Sequence, residues 1–134
     1  MPAPGGLAPQ LSAPAMPSRL PSRLHRPADI REVFAAGAHA RTGGVTVHLR
    51  MRADEGAARA AVVAGRSLGG AVDRNRAKRR LRAALGDLGL PAAVDAVLVA
   101  RPPALRLPYA RLCAELRTAL AQAGAQARAR AGAR

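Results

Sequence analysis

Residues 74–82 read RNRAKRRLR, so Arg74, Arg76, Lys78, Arg79, Arg80 and Arg82 crowd into nine positions, with the neutral Asn75 near their start. Cations at this density have one elementary chemistry. They repel each other three and four residues apart on a helix unless a polyanion fills the face they share. The other reactive side chains are sparse. His25, His39 and His48 lack metal-ligand spacing, Cys113 is the single cysteine, and the eight acids are scattered along the chain. Gly69 and Gly70 precede the cations without the spacing of a Walker A loop, so they mark a strand-to-helix turn.

The element that positions the cations is a helix over 71–88. On a helical wheel, Ala77, Leu81, Ala84, Leu85 and Leu88 share an arc of about 100° that suits packing on a sheet. Asn75, Arg79 and Arg82 form a row on the remaining face, with Arg76 and Arg80 beside it. Lys78 borders the apolar arc, and Arg74 falls almost on it, so its guanidinium must reach past its own stem. A solvated face is the bland alternative, but only Asp73 and Asp87 lie near enough to neutralise the run.

Around this helix the pattern alternates. Pro27 suits the first turn of a helix over 28–36 that ends at Gly37, with Ile30, Val33 and Phe34 at helical spacing. Residues 45–51 alternate apolar and polar as a half-buried strand does. Further strands are expected at 59–64 and 94–100. Pro102, Pro103 and Pro108 lead into a last helix over 108–121, striped by Leu112, Leu116 and Leu120 with Tyr109 and Cys113 beside them. The order predicts a small α+β sandwich. Residues 1–22, rich in Pro and small residues, are expected to be disordered. Residues 23–121 form the domain, and 122–134 a basic low-complexity tail.

Composition narrows the partners. The net charge is +14 with a sequence pI near 12, which points to a polyanion. No apolar run reaches the length of a membrane span, and no secretory signal is visible, so neither a membrane nor an oxidising compartment is indicated. With one Phe, one Tyr and no Trp, the core must be built from Leu, Val and Ala.

The run Gly69-x-Ala71-Val72-x-Arg74-Asn75-Arg76-x-Lys78-Arg79-x-x-Arg82 resembles the signature of the bacterial ribonuclease P protein family. The resemblance extends from about Arg23 to Leu120. It takes in Asp29-Ile30-Arg31-Glu32-Val33-Phe34 with Gly37, the segment Ala96-Val97-Leu98-Val99-Ala100-Arg101-Pro102, and Tyr109 with the Leu stripe. It implies helix–strands–helix–strand–helix around a mainly antiparallel sheet, with a left-handed crossover. It further implies a cytoplasmic ribonucleoprotein endonuclease that removes the 5′ leader of precursor tRNA. The catalytic site and its Mg2+ belong to the RNA subunit, so no catalytic residue, metal ligand, protein-bound cofactor or small-molecule substrate is expected in this chain.

By the same resemblance, Arg66, Arg74, Asn75, Arg76, Lys78, Arg79 and Arg82 meet the RNA subunit. Ile30, Phe34 and His48 line a cleft for the single-stranded leader. Two alternatives stay open: Asn75 as a plain helix-start residue, and Phe34 as core. The sequence departs from the family where Ile30 replaces an aromatic, His48 a tyrosine, and Ser67 one of two adjacent cations. The family's usual start also points to Met16 as the initiator. On physics alone, a ribosomal-type RNA binder or a DNA-compacting protein would share the basic footprint.

Overall fold

A computed structural model describes residues 21–132. Of the disorder expected over residues 1–22, the part over 1–20 and the expected start at Met16 lie outside the described residues, whereas Ser22 already belongs to a strand paired with Arg59. Ser22–Arg23 forms strand β1, followed by helix α1 (Pro27–Ala36), β2 (Ala38–Arg41), β3 (Val45–Met51) and β4 (Arg59–Ala64). A 3₁₀ turn at Arg66–Leu68 leads into α2 (Ala71–Leu88). Then come β5 (Val94–Ala100), a second 3₁₀ turn at Pro102–Leu105, and α3 (Tyr109–Gly132).

The five strands form one sheet in the order β1-β4-β5-β3-β2. β3 pairs antiparallel with both β2 and β5, whereas β4 runs parallel to β5 and to β1. The sheet is therefore mixed, where a mainly antiparallel one was expected. The reason lies in the connection: α2 carries the chain back along the sheet, so β5 starts from the same end as β4. Central β5 reads VDAVLVA and is buried on both faces except at half-buried Val99. The two further strands, β1 and β2, are two and four residues long; β1 is too short to show a period, and β2 alternates buried Ala with exposed His and Arg.

One face of the sheet packs against α2 and α3. Ala77, Leu81, Ala84 and Leu85 of α2 are buried there, the arc read from the wheel, with Leu112 and Leu116 of α3. The opposite face carries α1 as a partial third layer over a smaller core of Leu24, Val33 and Val97, flanked by Ile30, Ala61 and Val99. Pro27 opens α1. Gly37 closes it at φ 82°, its N–H donating to the Phe34 carbonyl at 3.2 Å.

Gly69 fixes the entry to α2. Its φ is 113°, a conformation that favours glycine, and although a Cβ there would stand 2.7 Å from Asp73 Oδ2, that carboxylate could turn aside, so it is the backbone that requires glycine. At the other end of the chain, α3 runs to Gly132 rather than to residue 121. Ala is the best helix former, and Ala119, Ala123 and Ala127, four apart, are small enough to bury against the sheet.

Candidate nucleic-acid interface

Packing the apolar arc of α2 turns its cations outward. Arg66, Asn75, Arg76, Arg79 and Arg82 are exposed, while Arg74 and Lys78 are half-buried. None of the ion pairs among the described residues involves a side chain of α2. Arg74 folds back, its Nη1 donating to the Gly69 carbonyl at 3.0 Å. Arg80 leaves the cationic face altogether and donates to the carbonyls of Ala104, at 2.6 Å, and Leu107, closing the turn before α3. Ser67 sits exposed in the 3₁₀ turn beside Arg66.

Asp87, at the end of α2, accepts a hydrogen bond from the Tyr109 hydroxyl at 2.6 Å. That carboxylate pushes the phenol well above its ordinary value. The contact joins α2 to the start of α3 and leaves the cationic row open.

A second surface lies on the face of the sheet that α1 covers only in part. Opposite residues on neighbouring strands share a face. His39, His48, Val97 and Ala61 therefore form one row, and Arg41, Thr46, Val99 and Val63 the next. Phe34 reaches down from α1 onto His48, ring centroids 4.5 Å apart and tilted by 59°. His48 in turn stacks on His39 at 5.7 Å and 24°. Phe34 is 44% exposed, so it is a surface ring rather than core. Ile30, one turn before it, packs against the small core and offers only an apolar flank.

The structure thus brings Ile30, Phe34 and His48 together and adds His39. The signal for His39 was present in the sequence: a hairpin folded about Gly43–Gly44 places 39 opposite 48. Burial, and then the neighbouring His39, lower the pKa of His48 below its ordinary value. It is accordingly a neutral ring near pH 7.

The acids are scattered in sequence but not in space. Asp95 in β5 is fully buried, and Arg50, Arg52 and Arg59 converge on it. The distances are 3.1 Å from Arg50, 2.5 Å from Arg52, and 2.9 and 2.7 Å from Arg59. Burial alone would push the Asp95 carboxyl up; the hydrogen bonds from Arg59, Arg50 and Arg52 outweigh it and hold it below the usual range. Arg50 also meets Glu32, and Arg59 meets Asp29, each at 3.3 Å, so the cluster clips α1 to the sheet. The signal in the sequence was a lone acid in an otherwise apolar central strand.

These arginines are neutralised within the fold and differ in that from the cations of α2. Among the described residues no three His, Cys, Asp or Glu side chains are placed to hold a metal ion. No described helix is long and apolar enough to cross a membrane.

At the β4 edge the two surfaces approach each other. Arg82 of α2, Arg23 and His25 of the entry segment, and Ile30 line an open groove of about 440 Å³ along Ala60–Val63. Taken together, a mixed sheet, a one-sided cationic helix and a ring-lined open face define a small α+β domain with two separate exposed surfaces, one of them basic and without acidic partners among the described residues.

Comparison with known proteins gives the family. The ribonuclease P family profile matches residues 19–124. The ribonuclease P protein component of Chloroflexus aggregans is 34% identical over 108 residues, covering 78% of this chain and 79% of that protein. The fold matches that of the Staphylococcus aureus RNase P protein (TM-score 0.62, 23% identity, 73% of this chain and 91% of that one). It also matches the Thermotoga maritima RNase P protein (TM-score 0.62, 22% identity, 72% and 93%). The chain belongs to the ribonuclease P protein family, and a role in tRNA 5′ processing together with an RNA subunit follows from that membership.

Proposed function

We propose that α2 is the surface that assembles with the RNA subunit and that the ring-lined sheet face holds the 5′ leader of precursor tRNA. The observation that carries this is the separation of two cation environments. Arg66, Arg76, Lys78, Arg79 and Arg82 have no acidic partner among the described residues, whereas Arg50, Arg52 and Arg59 are neutralised around Asp95. Unneutralised, one-sided cations suit phosphate. Rings 4.5 and 5.7 Å apart on the open face suit unstacked bases.

In this reading the protein binds and orients. Arg74 braces the Gly69 turn, Arg76, Arg79 and Arg82 meet phosphates of the RNA subunit, and Asn75 donates or accepts beside them. Phe34 and His48 receive leader bases while Ile30 flanks them. The groove lined by Arg82 and Arg23 leads from one surface to the other. Bond cleavage and its divalent metal are assigned to the RNA subunit, because the acids near the cleft are already held by arginines. The proposed setting is the cytoplasm.

Reconstitution tests this. Adding the protein to a ribonuclease P RNA at low magnesium should restore cleavage of precursor tRNA, and Arg76→Ala/Arg79→Ala should reduce the rescue. A wild-type protein that binds the RNA without restoring cleavage would overturn the reading.

A further inference from the structure

The end of α3 lies beyond the family match, which stops at residue 124, yet it is built into the fold. Ala123 and Ala127 are buried, so the helix is docked rather than swinging free. Gln126 straddles the outer edge of β2. Its Nε2 donates to the His39 carbonyl at 2.8 Å, and its Oε1 accepts from the His39 N–H at 3.1 Å. The side chain stands where a neighbouring strand would, and it fixes the backbone that carries the His39 ring.

One turn on, the Arg130 guanidinium lies over Gly37; a Cβ at that glycine would be 3.3 Å from its Nη1. Gly37 closes α1 three residues after Phe34, and the last turn of α1 has no cation of its own. Arg130 is exposed and in no ion pair among the described residues, whereas Arg128 projects from the other side of α3, its guanidinium beside Gly124. Arg41, exposed on β2, shares the sheet face of His39. The end of the ring row at β2 is therefore flanked by cations held on a folded element.

The topology gives this end a direction. α2 packs beside β4, and α3 beside β2, at opposite edges of the face. A strand leaving the α2 surface and crossing the rings emerges at β2. We propose that the C-terminal turn of α3, through Arg130 together with Arg41 of β2, is a further single-stranded RNA site, taking backbone phosphates of the leader after it has crossed the sheet. This rests on the assignment of the sheet face to the leader.

The test compares precursor tRNAs bound by the protein reconstituted with its RNA subunit. One leader is about two nucleotides, too short to span three strand spacings of ~4.8 Å, and the other about ten. Arg41→Gln/Arg130→Gln should bring the ratio of long- to short-leader affinity several-fold closer to one. It should also flatten the salt slope for the long leader by up to about 1.4, as two single-strand phosphate contacts require. Truncation after Gly124 should act in the same direction. An unchanged ratio, or equal loss on both leaders, would overturn the site and leave Arg130 as a cap on α1. Phe34→Ala separates the underlying assignment: if it leaves long-leader affinity intact, the sheet face is not the leader cleft.

Discussion

Phe34 and His48 do different work although they touch. Phe34 is nearly half exposed, so Phe34→Ala should move the melting temperature little. Leader affinity should fall by the ~1–3 kcal/mol that a base-stacking ring supplies. Calorimetry and leader-binding titrations on one preparation check this, and a large loss of stability would place Phe34 in the core. His48 is held neutral by burial and by His39. Because its folded pKa lies below the unfolded one, the native state should lose stability as pH falls from about 6.5 through that lowered value, with no effect above. Leader phosphate nearby should raise the His48 titration midpoint, which imidazole NMR signals would follow with and without RNA. A midpoint that RNA does not move would separate His48 from the phosphate path. Asp95 is the opposite case, a carboxylate held ionised by three arginines. Its contribution is complete above the unfolded pKa near 3.9 and is lost as pH falls through the lower folded value. Asp95→Asn at neutral pH should cost about 1–3 kcal/mol in urea unfolding, since it removes the charge that joins three arginines while leaving each its second acid, Glu32, Asp54 or Asp29.

At the scale of elements, α2 shows how one helix serves core and ligand together. Its Leu and Ala residues face the sheet, so its cations cannot turn inward, and the Gly69 turn sets the angle at which they are presented. Arg76→Ala/Arg79→Ala should weaken assembly with the RNA subunit and lower its salt slope by up to about 1.4. An unchanged slope would show that these side chains do not meet phosphate. Gly69→Ala should destabilise by about 1–3 kcal/mol, because alanine is strained at φ 113°. Thermal unfolding checks it. α1 is positioned from outside itself: the small core grips its underside, and Asp29 and Glu32 clip it to Arg59 and Arg50. The width of the open face thus depends on a charge cluster that meets no RNA in the proposed arrangement.

Across the whole molecule, a chain of charge +14 folds by sorting its arginines into two populations. Some are spent on buried and bridging contacts to acids and carbonyls; the rest stand on surfaces without counter-charge. Much was legible in advance. The period of residues 71–88 separates leucine from arginine whatever the helix packs on, and the alternation at 45–51 chooses the buried face of β3. The family signature and its order of elements are likewise properties of the chain alone. Other features arise only from contacts remote in sequence. Asp95 and its arginines are 36 to 45 residues apart, and Gln126 is 87 residues from His39. No local pattern encodes such pairs. The parallel pairing of β4 with β5, the exposure of Phe34 and the docking of the Ala-rich end of α3 belong to this second kind. Local propensity allowed helix or tail after residue 121; burial of Ala123 and Ala127 decided it. Sequence alone determined which faces of α2 and β3 turn inward and which family the chain resembles. Tertiary structure decided which charges cancel, because cancellation depends on distances that only the folded sheet creates.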